Sequence, residues 1–318
     1  MDSSDEQLRQ LIIPLFAVTN DATWHALGTA FVIAALGRHA LLVTAAHNLD
    51  HFRSIVSPPP RHHPGMPSIL VPPTPTKIVV DGPELIGIVK KRGKLETATL
   101  GAASMIPGID VALLSLTLAE DTECSFERAF ALDSTPVVPV GTPITAFGYP
   151  SLKVSSQQDW DKKVFMATVN EGSIVARRGE VLSNVEAGTE NRFTGIYVSS
   201  PFDSGMSGGP VVELRNDEPF VRGVITSDLS EDPSNPSAGS GARAFASSIW
   251  LLAGLRAAGV NIAREDGSLL VEPLGRDLIA MGKVRDVGEA HKYVRVEEGM
   301  DGDAPTLRSL LWVGSGVG

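Results

Sequence analysis

Turns come so often along this chain that they constrain its fold more than any other feature. The 318 residues include 31 glycines and 22 prolines, well above the roughly 12% that the two together usually contribute. Over the first 250 residues they punctuate short apolar and β-branched segments, a pattern that reads as strands. Ile12–Thr19, Gly28–Leu36 and His39–Thr44 come first, with Gly37–Arg38 as the turn between the last two. A hairpin is expected across Arg92–Gly93, between LIGIVKK and KLETATL, and DVALLSL over Asp110–Leu116 reads as a buried strand. From Thr117 to Pro143 the periodicity fades into a connector. Further strands are expected at Ile144–Gly148, Val164–Asn170, Gly172–Ala176, Tyr197–Ser199, Pro210–Leu214, Phe220–Thr226 and Ala242–Ser247.

Two stretches break that rhythm. Residues 57–77 hold eight prolines, too many for a helix or central strand, and are expected to form an exposed insertion. Ile249–Val260 (IWLLAGLRAAGV) has apolar residues at three- and four-residue spacing with Gly259 near its end, so it is expected to be a helix. The stretch from Asn261 to Gly318 shows no clear period and is read as a wrap that packs on the second half of the chain, the alternative being a regulatory tail that covers or distorts the functional site.

Composition narrows the function classes. Lys and Arg number 27 against 37 Asp and Glu, a net charge of −10, so the clustered positive field that grips nucleic-acid phosphates is not expected. The hydrophobic fraction of 43% is ample for a core. Cys124 stands alone and cannot form an intramolecular disulfide, which suits a reducing compartment. The N-terminus MDSSDEQLRQ is acidic where a secretory signal carries positive charge, and the apolar run behind it is short and contains Pro14. No stretch approaches the roughly 20 apolar residues of a membrane span. The expected location is the cytoplasm, with neither membrane nor nucleic acid as partner.

Three local patterns carry the chemistry. GTAFVIAALGRHALLVTAAHNL delivers His47 at the end of two apolar strands, GIDVALLSL opens a strand with Asp110, and SPFDSGMSGGPVV surrounds Ser207 with Gly205, Gly208 and Gly209. A serine hydroxyl is a poor nucleophile near neutral pH and needs a base to take its proton. Histidine suits that task, and a buried carboxylate can hold its ring in the right tautomer. Gly205, two places before the serine, lets the backbone turn so that its N–H and that of Ser207 point at one spot, where two donors can stabilise an oxyanion.

Taken together, TAAH, D-V-A-L and G-M-S-G-G-P, in the order His, Asp, Ser, resemble the chymotrypsin/trypsin-like serine endopeptidases, and among them the compact bacterial peptidases related to HtrA protease domains. The resemblance covers roughly residues 10–255. It implies an all-β fold of two six-stranded antiparallel barrels with a C-terminal helix and extension. The first barrel (1–125) would carry His47 and Asp110, the second (126–262) Ser207, with an extension over 263–318. It also implies His47 as general base and acid, Asp110 as its orienter, Ser207 as nucleophile, and the Gly205 and Ser207 N–H groups as the oxyanion hole. Thr226, Ser227 and Asp228, within GVITSD, would face a peptide bound as an extended strand. One position departs from the digestive members, whose serine follows an aspartate that pairs with a freshly cut N-terminus. Here that residue is Met206, so activation by trimming the N-terminus is not expected.

A trypsin fold acting only as a silent binding or scaffold protein is the alternative, as is a gated protease in a stress or defence pathway with a regulatory partner. His62 and His63 sit adjacent without a third ligand in spacing, so no metal is expected, and no cofactor. Asp203 and Asp228 are candidate specificity acids. Trp250 is expected to pack rather than bind.

Overall fold

The computed structural model describes residues 10–18, 24–49, 84–91, 94–105, 109–120, 125–150, 153–159, 164–170, 174–186, 194–228, 242–301 and 304–312. The expected insertion at 57–77 and Cys124 lie outside them.

Strands β1 (Ile12–Val18), β2 (Trp24–Leu36), β3 (His39–Thr44), β4 (Glu84–Lys91), β5 (Lys94–Met105) and β6 (Ala112–Leu118) close into an antiparallel barrel of order β1-β2-β3-β6-β5-β4. The two expected hairpins form in the expected register, with Leu36 opposite His39 and Lys91 opposite Lys94. The strands around the site are buried on both faces: β1, β3 and β6 each expose or half-expose one residue. Closure explains this. Inward side chains such as Ile13 and Leu42 fill the barrel, and the outward ones meet the rest of the chain in one continuous core that reaches Trp250, Leu252 and Leu278.

The second half contributes β7 (Ala131–Leu132), β8 (Pro143–Gly148), the separate hairpin β9 (Lys153–Asp159) and β10 (Val164–Asn170), then β11 (Val175–Val185), β12 (Gly195–Val198), β13 (Pro210–Arg215), β14 (Glu218–Asp228) and β15 (Ala244–Ser248). The sheet runs β13-β8-β11-β12-β15-β14-β7, and β13 also pairs with β14. That pairing curls six strands into a second barrel, whose β8–β13 side holds only Val211↔Ala146 and Val212↔Thr145. β13 and β14 are joined by Asn216 and Asp217, both at positive φ, the backbone that a two-residue hairpin turn needs for its twist to match the strands. A charge network ties the connector to this barrel. Buried Asp133 meets Arg215 at 2.6 Å and Arg222 at 2.9 Å, and Glu213 takes Arg222 Nε at 2.6 Å. Among the described residues no helix is long and apolar enough to cross a membrane.

The helix expected over Ile249–Val260 does not form. Only Ile249–Gly254 is helical, as a 3-10 segment with all six residues buried, and Leu255 is already extended. Apolar periodicity there reflects burial on every side. Tertiary contacts then override the helical preference, because Leu255 O accepts from Gly275 and Arg256 N–H donates to Ser104 Oγ. Beyond it lie β16 (Asn261–Ala263), β17 (Leu269–Val271), the helix α1 (Gly275–Ala280), and the hairpin of β18 (Val294–Asp301) and β19 (Ala304–Trp312). Their packing corrects the expectation of a wrap on the second half alone. Ile262, Leu278 and Val294 join the core that contains the first barrel, and Asp286 accepts hydrogen bonds from Ser134 of the connector.

Candidate active site

Register brings the first two residues of interest together. β3 and β6 pair antiparallel with Thr44 opposite Ala112, so the chain leaving β3 and the chain entering β6 lie side by side. A helical turn over 46–49 follows β3, and Asp110 precedes β6 by two residues. The Asp110 carboxylate, 4% exposed, accepts from the His47 main-chain N–H at 2.9 Å and contacts ring Nδ1 at 3.0 and 3.1 Å. A carboxylate can only accept, so Nδ1 carries the proton in that contact, and a neutral ring then has its lone pair on Nε2. The His47 side chain is 44% exposed.

Ser207 arrives from the second barrel on a tight turn before β13. It is half-buried, flanked by Met206 at 0% exposure. Gly205 and Gly208 stand at φ +91° and +87°. Gly208 could not be another residue, since a Cβ there would lie 2.1 Å from Thr29 O and 2.2 Å from Thr44 Oγ1. Hydrogen bonds orient the peptides on either side of the serine. Met206 N–H donates to Asp203 O, Gly209 N–H to Met206 O, and Gly208 N–H to Ile225 O. A trans peptide points its N–H opposite to its carbonyl, so the Met206 carbonyl, held by Gly209, turns the Ser207 N–H away from that bond. Neither the Ser207 nor the Gly205 N–H meets an acceptor among the described residues. Two such donors, one on the serine and one two residues before it, are chemically suited to receive a developing oxyanion.

The first barrel reaches across to this turn through residues that the sequence patterns did not single out. Thr29 N–H donates to Ser207 O at 2.8 Å, and Asn48 Nδ2 donates to the same oxygen at 3.0 Å. Asn48 follows His47 directly, so the residue beside the histidine touches the residue named as nucleophile. The only sequence signal was proximity to the TAAH and GTAF patterns.

Of the three positions read as facing a peptide, Thr226 is buried, with Oγ1 paired to Ser247 Oγ at 2.8 Å. Ser227 is half-buried, and for Asp228 only its place at the end of β14 is described. Asp203 is not an unpaired specificity acid: Arg177 holds it through Nε at 2.8 Å and Nη2 at 2.6 Å. Met206, in place of a zymogen-type acid, packs into the core of the second barrel. Trp250 packs as expected, at 9% exposure. Among the described residues no group of three or more His, Cys, Asp or Glu is placed to hold a metal ion.

The two barrels, with Asp110 held against His47 and the neighbouring Asn48 bonded to the Ser207 carbonyl, form a chymotrypsin-like fold. Residues 28–219 match the trypsin-like peptidase domain, more than half of the chain, and the protein belongs to that family. Solved structures similar to it include an HtrA-type protease, AlgW, with a decapeptide, at 15% identity and TM-score 0.45, covering 79% of this chain and 65% of that one. Another is the MamO protease domain from Magnetospirillum magneticum in its apo form, at 14% identity and TM-score 0.43, covering 76% and 94%. The chain thus spans less than two thirds of the AlgW chain. No curated protein sequence matches it.

Proposed function

We propose that the protein is a serine endopeptidase that cleaves protein substrates through an acyl-enzyme on Ser207. The observation that carries this reading is the double hold of Asp110 on His47, through ring Nδ1 and main-chain N–H, next to a serine turn whose Gly205 and Ser207 N–H groups meet no acceptor among the described residues. In the reaction, His47 Nε2 takes the Ser207 Oγ proton as Oγ bonds to the peptide carbonyl carbon. The carbonyl oxygen becomes an oxyanion between the Gly205 and Ser207 N–H groups. Collapse breaks the C–N bond, His47 returns the proton to the leaving amine, and water repeats the sequence to release the acid. Asp110 keeps the ring oriented and stabilises the imidazolium. The peptide lies as an added strand along the Thr226–Asp228 end of β14. Because the Thr226 hydroxyl is engaged with Ser247, recognition at that position runs through its main chain.

A fluorophosphonate probe tests this directly. Labelling of the folded wild type that disappears in Ser207→Ala is the expected result. A wild type that stays unlabelled, while a positive-control serine peptidase reacts, would overturn the reading in favour of a silent scaffold. The single cysteine, which can form no intramolecular disulfide, supports a reducing, cytoplasmic site of action, which recovery of the native protein from an exported fraction would refute.

A further inference from the structure

We propose that Thr29 and Asn48 are positioning residues, a two-point clamp by which the first barrel sets the orientation of the nucleophile turn carried by the second. The clamp rests on the serine peptidase reading for its catalytic meaning, and on geometry alone for its existence. Both residues are buried, Thr29 at 0% and Asn48 at 2% exposure, and neither belongs to the triad. Thr29 Oγ1 accepts the Tyr149 N–H at 3.1 Å and donates to Gly205 O at 2.9 Å. Its own N–H donates to Ser207 O. Asn48 Nδ2 donates to Ser207 O and to Thr44 Oγ1, and the Thr44 hydroxyl in turn donates to Thr29 O at 2.7 Å. The side chains therefore hold the carbonyls of Gly205 and Ser207, the residues whose N–H groups face the developing oxyanion.

Space around the clamp admits no slack. A Cβ at Gly28 would lie 2.6 Å from Asn48 Nδ2 and 2.7 Å from Ser207 O, and one at Gly208 would lie 2.8 Å from Asn48 Nδ2. Because Asn48 follows His47 in one helical turn, its amide couples the main chain that carries the imidazole to the main chain that carries the hydroxyl. Asp110 fixes the histidine from one side. The clamp fixes the serine relative to that histidine from the other.

The test uses the full chain with Thr29→Val, which removes the hydroxyl and keeps the shape, Thr29→Ser, which restores it, and Asn48→Ala. Each is read by fluorophosphonate labelling rate, by thermal melting, and by amide hydrogen exchange of residues 203–209. Displacement of a reacting group by about 1 Å costs on the order of 100-fold. Thr29→Val and Asn48→Ala are thus expected to slow labelling about 10- to 100-fold at temperatures where both remain folded, with faster exchange at Met206, Gly208 and Gly209. Thr29→Ser is expected to recover most of the rate. Variants that stay folded, label at the wild-type rate and leave exchange of 203–209 unchanged would overturn the clamp. Should the wild type itself fail to label, the peptidase reading falls, and the exchange comparison still decides whether the clamp exists.

Discussion

Replacing Gly208 with alanine puts the docking of the two barrels to a quantitative test. The residue sits at φ +87°, where a side chain costs about 1–2 kcal/mol. The added Cβ would fall 2.1 Å from Thr29 O and 2.2 Å from Thr44 Oγ1, far inside contact distance. Neither neighbour can give way. Thr29 is paired to Pro14 on β1, and Thr44 to Ala112 on β6, so it is the serine turn that must withdraw. Withdrawal breaks the bonds from Thr29 N–H and Asn48 Nδ2 to Ser207 O and from Gly208 N–H to Ile225 O, each worth about 1 kcal/mol net. The combined loss is about 4–5 kcal/mol, a large share of the roughly 5–15 kcal/mol that holds a domain folded. Gly141→Ala is the matched control, at φ +84° with nothing within 4 Å of the added Cβ, and should lose only the backbone cost. Urea unfolding of the two variants is expected to place Gly208→Ala about 3 kcal/mol below Gly141→Ala, and probe labelling at Ser207 should be lost in the first alone. Equal stabilities with undiminished labelling would refute the docking argument.

Two further outcomes follow from the charged groups. Asp110→Asn keeps the shape of the side chain but lets it donate to Nδ1 and so favour the wrong tautomer, and kcat on an activated ester is expected to fall about 10⁴-fold; a loss under tenfold would mean that Asp110 does not orient His47. At Asp133 burial opposes ionisation, but the Thr135 hydroxyl, the Arg222 charge, the Thr135 N–H and Arg215 outweigh it, while at Glu213 Arg215 and Arg222 overcome burial, and both carboxyls are held below their ordinary 3.8 and 4.5. The unfolded chain therefore takes up protons first as pH falls, so the network's contribution is complete above about pH 5 and is lost progressively below about pH 4. Asp133→Asn removes one partner of the buried Arg222 and should cost about 3 kcal/mol at pH 7 while flattening the acid limb of melting temperature against pH. Superimposable acid limbs for variant and wild type would contradict this.

Local patterns carried much of the architecture. Gly37–Arg38 and Arg92–Gly93 marked hairpins because turn residues interrupt apolar runs at fixed places, and the strands expected at Val164–Asn170 and Pro210–Leu214 form at Val164–Asn170 and Pro210–Arg215. The three chemical motifs were legible because each packs its special residues within a few positions. What local pattern could not convey was anything that depends on which surfaces meet. Ile249–Val260 has helical spacing, yet only six of its residues are helical, since burial on all sides and the bond of Leu255 O to Gly275 decide its backbone. Asp203 looked like a candidate pocket acid until Arg177, 26 residues earlier, proved to hold it.

The sequence by itself determined the chemistry on offer: a histidine after an apolar strand, an aspartate opening another, a serine among glycines, and turns frequent enough for two barrels. Only the tertiary structure decided how those groups stand to one another. The register of β3 against β6 sets Asp110 beside His47. The clamp from Thr29 and Asn48 sets the serine turn against the first barrel. Hydrogen bonds reach about 3 Å whatever the distance along the chain, so contacts 159 and 176 residues apart in sequence leave no periodicity for a linear reading to find.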